Sequence, residues 1–330
     1  MLVHDVSQAT LSNLYGRLEA TYYKVHRFCR VSDVPIRISS CKLEVLLFDR
    51  WSDYVRWAQR SGIDPSGTYG YYCQQSNRSV FFNVEHDPEV VRLRGQIDAG
   101  KANLERFQDV LANLPPDVDR VRIRYPDGRA ATLTLPEAHD ELADNQKNLH
   151  RLEIKLKRYY EQLNQSVIQH EAAHHILFAG GVHPRSTPSP LWLVEGLAMQ
   201  FESPLDSRNQ EPTTISPYRL EEFRRAHKNG QLRPLPEVLW GHEEIVGNVT
   251  NRAIYYAQAW ALVYYLKKKQ PDRFAAYVRA LAARRPGVPI AADRERTDFC
   301  RFFGPPDDAF AKRWEKYILT LPYRSSEVGF

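Results

Sequence analysis

The chain has 330 residues, 43% hydrophobic and 26% charged, with a mean hydropathy of −0.52. That admits one large domain or two ordinary ones and excludes wholesale disorder. Forty-five basic against 40 acidic residues leave a net charge of +5, too mild for nucleic-acid binding through charge alone, and no apolar run is long enough for a transmembrane helix.

Residues 1–30 read as a helix, with Leu11, Leu14, Tyr15, Leu18 and Tyr22 near helical spacing. Pro35 opens a β-rich stretch in which Ile36, Ile38, Leu43, Val45, Leu46, Leu47 and Phe48 predict one or two strands. Residues 53–60 form a short helix. After a turn-rich segment over 62–70, Tyr71, Tyr72 and Cys73 pair with Val80, Phe81 and Phe82 as a hairpin. Pro88 opens a helix carried by Val91, Leu93, Ile97, Leu104, Phe107, Val110 and Leu111. Two alternating runs around Asp127-Gly128 predict a second hairpin. A charged helix then runs through Leu142, Leu149, Leu152, Leu156, Tyr159 and Leu163. Helix, hairpin and helix read as an inserted arm over 88–160, either a packing element or one that grips a substrate or partner. It separates an N-terminal helix and β-rich part, 1–87, from a helical part, 161–330. In that last part helices are expected over 166–178, stopped by Gly180-Gly181, and over 191–201, 219–228, 253–268, 271–284 and 307–319. Proline-punctuated loops fill 183–190 and 203–217. Lys267, Lys268 and Lys269 close one helix in accord with its dipole. Cys29, Cys41, Cys73 and Cys300 show no C-x-x-C spacing, so neither a cysteine zinc site nor a disulfide framework is expected. The first 30 residues hold no apolar leader; the expectation is cytoplasmic for the chain as it stands and exported if a leader preceded it.

The informative segment is Q-H-E-A-A-H-H, residues 169–175. His170 and His174 are four apart and share one helix face, so their imidazoles can ligate one Zn²⁺ at roughly 2.0–2.1 Å. Glu171 stands beside the first ligand and can act as a general base without entering the coordination sphere, the H-E-x-x-H arrangement of zinc metalloproteases. A catalytic zinc needs a third protein ligand. Glu195 lies 21 residues after His174, among Trp192, Leu193, Val194 and Leu197. A buried carboxylate there wants a cation. Glu202 reads as a group behind the ligands or at the surface. His175 points off the ligand face, and His183 lacks the metzincin spacing.

H-E-A-A-H followed by W-L-V-E-G-L-A resembles the gluzincin branch of zinc metallopeptidases. More narrowly, the chain is similar to a bacterial peptidase-MA-like family long catalogued as a domain of unknown function. Members carry a G-V-H-x-R stretch (Gly181, Val182, His183 and Arg185 here) and P-L-W-L-V-E-G-L-A, residues 190–198. They also carry a Y-A-Q-A-W-A-L-V helix, residues 256–263, and an F-G…W-E-x-Y-I segment that includes Phe303, Gly304, Trp314 and Ile318. The resemblance covers roughly 35–84 and 160–320 and leaves the arm outside. It implies a zincin-like fold, one Zn²⁺ and peptidase activity. It further implies a tyrosine or histidine donor opposite the zinc, for which Tyr256 is the candidate and its neighbour Tyr255 the second, and makes His183 and Arg185 candidate substrate contacts.

The resulting expectation is an α+β, zincin-like metallopeptidase fold. Strands from 36–84 would form a small mixed sheet above a zinc helix over about 161–179. A second ligand helix would run over about 191–202, with a mainly helical lower lobe and the inserted arm. The expected activity is zinc-dependent peptide-bond hydrolysis, as an endopeptidase, with Glu171 as base acting on zinc-bound water. A peptide or protein substrate would add to the sheet edge. Two alternatives stand beside it. One is a catalytically silent zinc-binding module whose arm binds a protein partner, which has no need of Glu171. The other is a helical scaffold with a chance H-E-x-x-H.

Overall fold

The computed structural model describes residues 2–4, 6–65, 68–125, 128–202, 215–241, 249–285, 287–288 and 292–322. In chain order these form β1 (Leu2–His4), α1 (Gln8–Val31), β2 (Glu44–Phe48), α2 (Trp51–Arg60), β3 (Gly70–Cys73) and β4 (Arg78–Phe82). Next come α3 (Pro88–Ala112), β5 (Arg120–Arg124), β6 (Ala130–Thr134) and α4 (Leu135–Leu163). A π-helical segment, Asn164–Gln169, leads into α5 (His170–Ala179). Then follow α6 (Leu191–Ala198), α7 (Pro217–Lys228), α8 (Leu235–Trp240), α9 (Val249–Lys269), α10 (Pro271–Ala282), α11 (Ala292–Phe303) and α12 (Asp308–Leu319). The chain is α+β and mostly helical. It divides into two compact units, Met1–Asn83 with Asn164–Phe330, and Val84–Leu163. Among the described residues no helix is long and apolar enough to cross a membrane.

In the first unit a four-stranded sheet has the order β1-β2-β4-β3. β1, β2 and β4 are parallel, and β3 is an antiparallel edge strand. Strand alternation sends neighbouring side chains to opposite faces. Val80 and Phe82 meet Tyr54 and Ala58 of α2, while Phe81, Val45 and Leu47 meet Leu14 of α1 and Ile168. Helices thus cover both faces of the sheet. The main core lies among α5, α6, α9 and the later helices, around the fully buried Trp192, Trp260 and Trp314. Phe310, Trp314 and Ile318 are the buried face of α12.

In the second unit, Asp87 caps α3 by accepting the Glu89 and Val90 N–H groups at 2.9 and 3.0 Å, with Pro88 in the first turn. β5 and β6 pair antiparallel, Val121 opposite Leu133.

The structure departs from the sequence reading at several places. Leu2, Val3 and His4, expected as helix, form a strand opposite Val45, Leu46 and Leu47. Of the strands expected over 36–48 only Glu44–Phe48 forms; Ile38 is exposed, and Ile36 lies close against Gly180. The stretch expected as one zinc helix, about 161–179, comprises the end of α4, the π segment and α5. α8 and α11 were not expected at all. Of the loop expected over 203–217, residues 203–214 lie outside the described residues, as do Asp127, Ser66 and Gly67 in the two expected turns.

α6 packs tightly on α9 because Gly196 has no side chain: a Cβ there would fall 2.5 Å from Val263 Cγ2 and 2.6 Å from the Ala259 carbonyl oxygen. Gly196→Ala is expected to destabilise the protein by about 1–3 kcal/mol through overpacking. The midpoint of urea unfolding reads this; an unchanged midpoint would contradict the α6–α9 packing.

Candidate metal centre

α5 carries His170, Ala172, Ala173, His174 and His175 in a buried position. The small alanines let the helix lie close under the sheet while its histidine face stays clear. The helix ends where Gly181 takes a φ of +75° and Val182 N–H bonds back to the Leu177 carbonyl at 2.9 Å, the left-handed stop that glycine permits. α6 follows and brings Glu195 toward the same point.

There the ligand atoms converge. His170 Nε2 and His174 Nε2 are 3.0 Å apart. A Glu195 carboxylate oxygen lies 3.2 Å from the first and 3.6 Å from the second. A tetrahedral ion with ligands at roughly 2.0 Å separates neighbouring ligand atoms by roughly 3.3 Å, which is the mean of these spacings. A proton on His170 Nε2 would lie along only one of its two contacts, so it satisfies the cluster less well than a cation at the centre. Charge gives the same answer. Glu171, Glu195 and Glu202 crowd the place, and Arg219 supplies the guanidinium against them. With both imidazoles neutral, as metal ligands must be, a divalent ion would balance that excess. These residues therefore fit a metal of the Zn²⁺ class, and His170, His174 and Glu195 could hold it.

The electrostatics follow the same geometry. Burial favours a neutral His170, but hydrogen bonds and charge from Glu195 and Glu202 outweigh it and push its pKa up to about 10. Burial would raise Glu195, yet the His174 and His170 rings hold it well below the usual carboxylate range. Glu171 moves up, mainly through burial. The N–H of Tyr72, on edge strand β3, donates to Glu171 Oε2 at 2.7 Å. The candidate base is thereby fixed against the sheet edge.

Behind the ligands stands a group whose role the sequence left open. Glu202 is buried and accepts from His170 Nδ1 at 2.8 Å. Arg219 of α7 grips both oxygens of Glu202, at 2.8 and 2.9 Å. A carboxylate on Nδ1 fixes the tautomer and presents Nε2 to a metal. Next to His170, Gln169 Nε2 donates to the Phe201 carbonyl at 2.7 Å, so the two segments are joined twice. Arg219 was not expected; 17 positions separate it from Glu202, and nothing in the spacing signals a pair.

The remaining candidates fall in different places. Tyr256 is half-buried, its ring 6.3 Å from that of His170 and under the Arg219 guanidinium. Its pKa is raised, first by the Glu195 charge and then by burial, with Glu171 adding to both. Tyr255 is fully buried in the core with its hydroxyl unbonded. His183 is buried against Phe178, neither ring nitrogen bonded, and burial holds its pKa down at about 3. Arg185 donates to the Gln74 and Gln75 carbonyls at 2.9 to 3.1 Å, so it fastens the loop after α5 to the β3–β4 turn. His175 turns to the sheet, bonding Ser79 Oγ through Nδ1 at 3.0 Å. Gln258, in the Y-A-Q-A-W run, clamps the Arg233 backbone with both ends of its amide, at 2.9 and 3.0 Å.

Residues 164–287 match a family described as "Protein of unknown function (DUF1570)". The matched stretch contains all three candidate ligands, Glu171, Glu202, Arg219 and Tyr256, and none of the Val84–Leu163 unit. Comparison with curated proteins and with solved structures gives no match to the chain.

Glu202→Gln is expected to weaken zinc binding about 10–100-fold, because the ring of His170 loses its anionic partner. Competition with a chromophoric chelator measures it, and unchanged affinity would remove Glu202 from any role at the centre. Arg219→Met, which leaves Glu202 buried and unpaired, is expected to cost about 3–5 kcal/mol of stability in the metal-free protein. A loss within the error of urea unfolding would show that the Arg219–Glu202 pair does not form.

Proposed function

We propose that the protein is a zinc-dependent peptide-bond hydrolase of gluzincin type, on a zincin-like fold. The observation that carries the reading is the convergence of His170, His174 and Glu195 ligand atoms on one point, with Glu171 on the same helical turn. A mixed sheet whose antiparallel edge strand touches Glu171 also supports it. When bound, Zn²⁺ would polarise a carbonyl and lower the pKa of a water toward about 7.

Glu171 takes the proton of the attacking water and passes it to the leaving amine. Burial suits it to both tasks by raising its pKa. The Tyr72 N–H fixes one of its oxygens for the exchange. Tyr256, kept protonated by the nearby Glu195 charge, donates to the oxyanion. Tyr255, enclosed in the core, does not take that role. The substrate lies along β3, beside a cleft of about 730 Å³ whose lining includes Tyr72, Cys73, Gln74 and Arg185. Addition to that edge is narrower than the sequence suggests, because the Tyr72 N–H and the Gln74 carbonyl are already bonded.

Cleavage of casein or a fluorogenic peptide library, with and without a chelator, tests the reading. Glu171→Gln is expected to bind zinc as the wild type does and to lose about 10²–10⁴ in kcat. Equal turnover would remove Glu171 as the base. Chelator-insensitive cleavage, or none by the zinc-loaded wild type, would overturn the hydrolase. Tyr256→Phe is expected to lower kcat by about 10²–10³, and Tyr255→Phe to leave it unchanged; the reverse order would exchange their roles.

A further inference from the structure

The Val84–Leu163 unit has a cleft of its own, built wholly from α3, α4 and the β5–β6 hairpin. The first part of α3 buries Val90, Leu93 and Ile97. At Gly100 the two helices approach closely: a Cβ there would stand 3.1 Å from Leu149 Cδ1. Beyond that point the apolar stripe continues without cover. Leu104 and Phe107 are only half-buried, as are Leu149 and Leu152 of α4, and Val110 is 52% exposed. These side chains floor a cleft of about 610 Å³, within the range of ligand-sized pockets.

The rim is basic. Arg106 of α3 and Arg122 and Arg124 of β5 line it. Alternation along β5 sends Val121 into the unit and leaves Arg122 and Arg124 exposed. None of the three arginines has an ion-pair partner among the described residues. Glu141 is the one acid among the lining residues. This positive charge is local. Residues 84–163 hold 13 lysines and arginines against 15 aspartates and glutamates, so the unit as a whole repels a polyphosphate backbone. Unpaired guanidiniums around an apolar floor call for carboxylates around an apolar anchor.

We propose that this cleft docks an acidic, amphipathic protein segment. Its apolar side chains cover the Leu104, Phe107, Leu149 and Leu152 floor, and its carboxylates pair with Arg106, Arg122 and Arg124. The proposal is independent of the chemistry at His170 and His174.

The test titrates the full chain into a dye-labelled synthetic peptide of alternating leucine and glutamate pairs and reads fluorescence anisotropy at low salt. Three further probes replace glutamate by lysine, replace leucine by serine, or substitute a single-stranded oligonucleotide of equal charge. The leucine–glutamate peptide is expected to bind at least about tenfold more tightly than each of the three. The combined variant R106Q/R122Q/R124Q is expected to lose about tenfold or more. Glu141→Gln is expected to tighten binding about two- to threefold, an effect that misfolding would not produce. The proposal is overturned by any of four results: no saturable binding of the leucine–glutamate peptide, undiminished binding by the triple variant, equal binding of the lysine or serine peptide, or equal binding of the oligonucleotide.

Discussion

Two imidazole nitrogens 3.0 Å apart, with a carboxylate oxygen 3.2 and 3.6 Å away, form a cluster that could hold a metal ion. In water the groups would separate or protonate at little cost. Inside a protein each stands in a low-dielectric place where an unbalanced lone pair or charge is expensive. Much of the first unit serves to hold this grouping together against that cost. The helical turn sets the His170–His174 spacing, α6 delivers Glu195, and the Tyr72 N–H holds Glu171 aside from the ligand cluster.

The support reaches outward in layers. Glu202 orients His170, Arg219 neutralises Glu202, and the guanidinium also lies over the Tyr256 ring. Gln200 ties the turn before Glu202 to the carbonyls of Gly196 and Trp260. α5, α6, α7 and α9 thus share one buried polar network set in an aromatic core. Such networks stabilise most when complete, so the geometry of the His170, His174 and Glu195 cluster and local stability are coupled here.

The sequence revealed the candidate ligands better than it revealed what surrounds them. H-E-A-A-H carries its own geometry, because four-residue spacing on a helix fixes which side chains meet. Glu195 could be found because a carboxylate among Trp192, Leu193 and Leu197 is anomalous. Long periodic helices such as α9 and α12 were legible for the same reason of repetition. Pairings across the fold were not. Leu2, Val3 and His4 become strand only through β2, a partner some 40 positions away. Arg219 looks like any surface arginine until folding brings it to Glu202. Arg185, a candidate substrate contact from the resemblance, also fastens the loop after α5 to the β3–β4 turn, a pairing that nothing in its sequence position signals. Short helices such as α8 have too few residues to show a period, and charge hid α11.

Zinc-edge X-ray absorption on the protein loaded with one equivalent of Zn²⁺ reads directly whether His170, His174 and Glu195 hold the ion. Four nitrogen or oxygen neighbours at roughly 2.0–2.1 Å are expected, two of them with the outer-shell scattering of imidazole. A first shell of six oxygens, or one without imidazole scattering, would contradict that ligand set.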